Sequence, residues 1–370
     1  MAEWTKYKIS DIGTVVGGAT PSTKKSENYE NGDISWITPK DLSTFCGRYI
    51  KQGERNITET GYRSCSTQLL PRNSVLFSSR APIGYVAIAA KELCTNQGFK
   101  SVIPNENIDP LFLYYLLKYN KHNIESMGSG TTFKEVSANT MRNIIVFVPS
   151  DKRVQEKIAS ILGVLDDKIE ENERINNNLE QQAQAIYSRM FIEHRQESWS
   201  TGQLSDLISV KYGKDHKKLA DGNYPVYGSG GIIRYVEKPL HTGESVLIPR
   251  KGTLNNVIYV NEAFWSVDTM FYTEMLHPNI AKFVYHFVKS KDLASLNAGS
   301  AVPSMTTNIL NAMQLYIPDE KTLEKFENIV SPMYSAMQEN TKESKILANT
   351  RDALLPKLMP GELDVSDIDL

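Results

Sequence analysis

The sequence predicts an α+β protein built twice over: two tandem modules of twisted, mainly antiparallel sheet with a few helices, each followed by a long helix. The two helices are expected to pair as an antiparallel coiled coil. Three observations carry this: an ordered internal repeat, strand-type patterning inside each copy, and a change of apolar period from 2 to 3.5 at the end of each copy. At 370 residues the chain suits two domains rather than one core. Hydrophobic residues at 41% and charged residues at 23% are ordinary for globular folding, and no apolar run approaches the ~18 residues of a membrane span. Met1-Ala-Glu-Trp4 begins no secretory signal, so a cytoplasmic protein is expected.

Four matches in the same order make the repeat. Lys8-Ile-Ser-Asp-Ile12, with Gly18 beyond it, returns as Gln203-Leu-Ser-Asp-Leu207 with Gly213, an offset of 195. Ser74-Val-Leu-Phe77 leading to Val86 returns as Ser245-Val-Leu-Ile248 leading to Val257 at 171, so the second copy lacks 195 − 171 = 24 residues in between. Gly128-Ser129 matches Gly299-Ser300, and Asn139 to Pro149 matches Asn308 to Pro318 at 169. Within each copy, β-branched and aromatic runs bounded by Gly, Pro, Asn and Ser read as strands. Leu111-Phe-Leu-Tyr-Tyr-Leu-Leu-Lys118 and Ala281-Lys-Phe-Val-Tyr-His-Phe-Val-Lys289 read as one helix each. Each copy closes on an apolar strand, Ile144 to Pro149 and Leu315 to Pro318, and Gly228-Ser-Gly-Gly231 reads as a turn between two strands.

After each closing proline the period becomes 3.5. Ile158, Leu162, Leu165, Ile169, Asn172, Asn176, Leu179, Ala183, Ile186 and Met190 alternate steps of four and three, a coiled-coil seam. The seam returns 168 residues on as Phe326, Val330, Met333, Met337, Asn340, Ser344, Leu347, Arg351, Leu354 and Leu358. Pro332 should bend the second helix early and Pro356 near its end. From 158 to 190 the seam is about 50 Å long at ~1.5 Å per residue, more than a small module covers, so the other helix is its simplest partner. Asn172 and Asn340 hold equivalent mid-seam places, where a buried amide can fix register; solvated asparagines at a break in the seam are the alternative. The borders fall at 1–150 and 199–318 for the modules, 151–198 and 319–360 for the helices, and 361–370 for an acidic tail.

Cys46, Cys65 and Cys94 have no C-x-x-C spacing and read as reduced thiols, and the six histidines form no ligand cluster, so no metal site is expected. The net charge of −2 divides unevenly: +4 for 1–150 and +2 for 199–318, against −3 for 151–198 and −5 for 319–370. Basic modules on acidic connectors suit a polyanion touched at two places and a protein partner between them. There is no D/N-P-P-Y/F methylation motif and no G-x-x-x-x-G-K-[ST] nucleotide loop; no nuclease or hydrolase set can be nominated, so no catalytic residue is expected.

The phrases Ile9-Ser-Asp-Ile-Gly13, Gly18-Ala-Thr-Pro-Ser-Thr23, Ile34-Ser-Trp-Ile-Thr38 and Val75-Leu-Phe-Ser-Ser-Arg80 mark the first copy. Tyr224-Pro-Val-Tyr-Gly-Ser-Gly-Gly-Ile-Ile233, Val246-Leu-Ile-Pro-Arg-Lys-Gly252 and the closing Leu354-Leu-Pro-Lys-Leu-Met-Pro-Gly-Glu-Leu363 mark the second. In order and duplication they resemble the specificity subunit of type I restriction–modification systems, over nearly the whole chain. The resemblance implies two target-recognition domains, each reading one half of a split double-stranded DNA sequence. It further implies helices that set the spacing and dock two methyltransferase subunits, with restriction subunits completing the complex and no membrane involved. No cofactor is expected on this chain; S-adenosylmethionine, ATP and Mg²⁺ belong with the partner subunits.

Candidate DNA contacts are basic residues in the intervals where the copies differ: Lys24, Lys25, Lys40, Arg48, Arg55 and Arg63, and Lys214, Lys217, Lys218 and Arg234. Arg80 and the corresponding Arg250-Lys251 follow apolar strands in both copies and suit contacts common to both. The loops Gly128 to Lys134 and Gly299 to Ser304 precede helix-like segments whose N–H groups suit a phosphate, Lys134 included, or are plain turns. Modules related by antiparallel helices would read half-sites about 34–36 Å apart. The competing reading is a coiled-coil scaffold presenting two modules that bind protein or carbohydrate and not DNA.

Overall fold

The computed structural model describes residues 3–130, 134–296, 304–365 and 368. It divides into two compact units, Met1–Arg174 with Asn340–Leu370, and Ile175–Glu339.

In the first unit the opening strand Trp4–Lys8 pairs antiparallel with the closing strand Ile145–Pro149, so the module is shut by its own ends. A five-stranded sheet runs in the order Gly13–Gly17, Lys100–Pro104, Val75–Ser79, Ile83–Ala89, Tyr49–Ile50. A three-stranded sheet runs Arg55–Ile57, Ile34–Ile37, Cys94–Thr95. Pairing is antiparallel except at two short contacts, Tyr49–Ile50 with Ile83–Ala89 and Ile34–Ile37 with Cys94–Thr95. The helix Pro110–Tyr119 starts where the sequence allows: Asp109 Oδ1 accepts from Phe112 N at 2.7 Å, and Pro110 takes the first turn. Its Phe112, Leu113, Leu116 and Leu117 are buried against Val75, Phe77 and Ile88 of the sheet. Burial pushes the Cys94 thiol up to about 11, which keeps it protonated.

The second unit repeats the scheme. Ser200–Gln203 pairs antiparallel with Gln314–Ile317. A six-stranded sheet runs Ile208–Tyr212, Met270–Met275, His241–Pro249, Ile258–Ser266, Asp221–Gly228, Gly231–Val236. Ser229 and Gly230 make the expected turn between the last two strands, with Gly231 at φ +109°, a conformation that favours glycine. The helix Ala281–Lys289 lies in the core beside Val246, Ile248 and Phe271.

Each long helix serves both units. The first spans Lys152–Tyr187 and continues as a π-helical turn over Ser188–Glu193; the second spans Glu320–Leu358. In the first unit Ile158, Ala159 and Leu162 join the core together with Leu358, the last residue of the other helix, and Met359 just after it. Asn172 Nδ2 donates to Glu343 Oε2 at 2.7 Å and to Ser344 Oγ at 3.2 Å, while Asp166 pairs with Arg351, so the two stretches run antiparallel. In the second unit Ala183, Tyr187 and Phe191 meet Leu323, Phe326, Val330 and Tyr334, and Asn176 Nδ2 donates to Met337 O at 3.3 Å. Among the seam positions Ile158, Leu162, Asn172, Phe326 and Val330 are buried. Leu165, Ile169, Leu179, Ile186, Met333, Met337, Asn340, Leu347 and Leu354 are half-buried. The helix runs unbroken through Pro332 and Pro356. Pro332 is exposed, so the Asn328 carbonyl it leaves unbonded can be solvated.

These borders differ from those drawn on the sequence. The stretches 151–198 and 319–360 do not stand apart from the modules; each is shared out along its length, because the module helices and the long-helix stripes cover one another. Val365, inside the segment read as an acidic tail, is 2% exposed in the first core, and Gly361 at φ +79° turns beside Trp4.

Candidate nucleic-acid interface

A strand that ends buried must hand over to the surface, and both modules do so at the same residue. Val75–Ser79 is buried throughout; Ser79 N donates to Gly98 O at 2.7 Å and Ser79 O accepts from Val136 N at 3.0 Å. In the second module Arg250 N donates to Thr269 O and Arg250 O accepts from Met305 N, both at 2.9 Å. The offsets are the 171 and 169 of the sequence repeat, so Arg80 and Lys251 are one position in two copies. Arg80 Nη1 lies 3.7 Å from Glu135 Oε2, and Lys100 Nζ 3.2 Å from Glu135 Oε1. Lys251 is exposed and makes no ion pair among the described residues, and its backbone bridges to Ser304. Arg250 Nη1 donates to Asp268 O at 3.2 Å, and its guanidinium lies 5.4 Å from the Tyr212 ring.

A second shared element lies beside this junction. A Cβ on Gly18 would stand 2.1 Å from Thr95 O, and one on Gly213 2.0 Å from Val267 O, so backbone packs directly on backbone at both. The carbonyl of the next residue accepts an indole N–H: Trp36 to Ala19 at 3.0 Å, Trp265 to Lys214 at 2.8 Å. The two tryptophans occupy opposite strands of the equivalent parallel pair, Trp36 facing Cys94 and Val226 facing Trp265. The same bond is thus delivered from opposite sides. Thr20 then hydrogen-bonds Gln97, next to the junction.

Around this frame the candidates separate. Lys24, Lys134, Lys214, Lys217 and Lys218 are exposed and carry no ion pair among the described residues. Lys25 with Glu27 (3.5 Å), Lys40 with Glu54 (2.7 Å) and Arg63 with Glu59 (2.7 Å) are exposed pairs, of the kind that yields readily to a phosphate. The Lys40 ammonium is held above the usual lysine pKa by Glu54. Arg55 stacks 4.1 Å over Tyr29. Arg234 is tied to Asp221 Oδ1 at 3.0 Å and Leu219 O at 2.8 Å, bracing its hairpin.

Arg48 is not a surface contact. It is 4% exposed; its Nε donates to Glu170 Oε1 at 2.9 Å, Nη1 to Gly163 O at 3.2 Å, and Nη2 to Asp167. Burial works against its charge, but the bonds to Glu170 and Asp167 more than restore it, and its pKa lies above the usual arginine value. Its role is to clamp the module to the long helix. Of the proposed phosphate loops, Thr131 to Phe133 and Gly299 to Pro303 lie outside the described residues. The sequence does not single out Lys100, Gln97 and Glu135; its one signal is a lysine at 100 where the other copy carries Phe271. Among the described residues no group of His, Cys, Asp and Glu is placed to hold a metal ion, and no helix is long and apolar enough to cross a membrane.

The family described as type I restriction modification DNA specificity domain matches residues 1–181 and again 196–347, each stretch a module with most of the long helix that follows it. The chain belongs to this family. It is 30% identical to the type I restriction enzyme MjaIX specificity subunit of Methanocaldococcus jannaschii, covering 99% of this chain and 95% of that one. The EcoprrI specificity subunit of Escherichia coli is 23% identical, over 89% and 88% of the two chains. The crystal structure of the type I restriction–modification S subunit from M. genitalium shares the fold, with a TM-score of 0.61 at 20% identity over 97% and 96% of the chains. Specificity subunits are the non-catalytic members of their systems, in agreement with the missing catalytic motifs.

Proposed function

We propose that each DNA specificity domain reads one half of a bipartite duplex target through the loops around its junction, while the paired long helices set the half-site separation. The observation that carries this is the repeated junction, which presents Arg80 and Lys251 at one equivalent place beside loops that differ between the copies. Shared cations suit phosphates, which are the same in every sequence; differing loops suit base edges, which are not. Lys24, Lys25, Lys214, Lys217 and Lys218 extend the phosphate contacts, and Lys40, Arg55, Arg63 and Lys134 border them. Half-sites then lie about 34–36 Å apart. The helices dock two methyltransferase subunits, with restriction subunits joining through them in the cytoplasm. S-adenosylmethionine, ATP and Mg²⁺ are held by those partners, and this chain binds none of them.

The test is DNA affinity of the assembled methyltransferase complex as a function of salt. Arg80→Ala and Lys251→Ala should each weaken binding to every sequence alike and reduce the slope of log affinity against log salt by about 0.9, the double variant by about 1.8. An unchanged slope in the double variant removes the junction from the interface.

A further inference from the structure

We propose that the second unit carries a docking groove for an acidic peptide segment of a partner protein with an aliphatic anchor residue. Tyr187, Phe191, Phe283, Phe287 and Leu315 wall a surface cavity of about 360 Å³. Its lip is apolar and open, with Ile192 59% and Tyr316 43% exposed. Two cations stand on that lip, each laid over an aromatic ring: the Arg195 guanidinium 4.0 Å from Tyr316 and Lys291 Nζ 4.6 Å from Phe287. Neither makes an ion pair among the described residues, so both positive charges are held in place and unspent.

The internal repeat says what fits there. The contact of His286 with Tyr334 in the second unit is the counterpart of Tyr115 with Asp166 in the first, which fixes the register of the module helices at 171 and of the long helices at 168. The walls therefore correspond to Leu355, Met359, Phe112, Leu116 and Val146, and those residues belong to the core that buries Val365. Val365 arrives on the acidic stretch Glu362-Leu-Asp-Val365, folded back after the long helix, where Leu363 N donates to Lys357 O at 3.1 Å. At the same register the second unit has Glu197, which is exposed. The second unit thus has the walls without the aliphatic plug.

The charges differ in the matching sense. Arg195 and Lys291 take the places of Leu363 and Asn120, so these two lip positions are cationic in the unit whose groove is open and neutral where the chain fills its own, while Lys6 stands where the open groove has Thr201. An extended segment placing a valine-sized side chain between the aromatic walls, with carboxylates on either side, satisfies both features. This inference does not depend on how DNA is read.

The probe is a fluorescein-labelled peptide with the sequence of residues 361–370, titrated with the full chain and followed by anisotropy. Saturable binding is expected. Arg195→Glu with Lys291→Glu, both at the surface, should weaken it by roughly tenfold or more, as should replacing the peptide's valine by aspartate. No saturable binding overturns the proposal. So does binding that ignores both changes, which would place the peptide on the first unit, or an equal affinity for a scrambled peptide of the same composition.

Discussion

Lowering the pH from 7.5 to 5 should loosen the second unit through a single buried imidazole. His286 lies on the helix Ala281–Lys289 with no exposed surface, its Nδ1 2.8 Å from Gln184 Oε1 and its Nε2 2.9 Å from the Tyr334 hydroxyl. A neutral ring protonated on Nδ1 satisfies both partners, donating to Gln184 and accepting from Tyr334. A second proton would turn Nε2 into a donor facing the hydroxyl hydrogen. Burial pushes the pKa down to about 4, the attraction of Glu180 only partly opposing it and Lys289 adding to the depression. An unfolded histidine titrates near 6.5. The unfolded state therefore takes up the proton first: the contribution is intact above about pH 6.5 and is lost as pH falls toward 4. The gap is worth about 3 kcal/mol in all, with about 2 kcal/mol lost between pH 7.5 and 5. Urea denaturation of the full chain at both pH values, wild type against His286→Gln, isolates this contribution, because every other titration cancels in the comparison. If the two proteins lose equal stability between those pH values, the buried neutral imidazole is not what the second unit depends on.

Three further outcomes follow from the geometry. Arg48→Met should lower stability by about 2 kcal/mol in denaturant titrations, because it takes the guanidinium away from Glu170 and Asp167; the salt slope of DNA binding should stay as in the wild type, since the side chain is buried. Gly213→Ala drives a Cβ to within 2.0 Å of Val267 O, so the Lys214 loop must shift. Methylation mapping should then show recognition of one half-site degraded and the other kept. A heptad inserted into both long helices, between 170 and 185 and at the matching place 168 residues later, should lengthen the unread spacer in the mapped target; an unchanged spacer would refute the helices as its measure.

The long helices, their seam and the hairpin at Gly228–Gly231 were legible in the sequence because each is written in local periodicity or turn chemistry. What the seam does not encode is whose apolar surface covers it. An a/d stripe marks burial without naming a partner, so the division of each helix between two units emerged only from the packing of Leu358 and Met359 beside Ile158 and Leu162. The burial of Arg48 is hidden in the sequence for a related reason. In a loop of mixed charges a buried arginine looks like its exposed neighbours, and the carboxylates that claim it lie 119 and 122 residues away. The acidic character of the last segment likewise hid Val365. The indole that caps the Gly18 and Gly213 loops leaves no mark in the repeat because it sits at non-equivalent sequence positions, although the bond it makes is the same.

The sharing of the long helices has a consequence for the order in which the protein is made. The second unit is one uninterrupted stretch, Ile175–Glu339, set inside a first unit whose two parts lie on either side of it. On a ribosome the second unit has its whole core once Glu339 has emerged. The first, although begun earlier, still lacks Arg351 for the buried Asp166 and Leu358 and Met359 for its apolar stripe. The half that starts first is finished last.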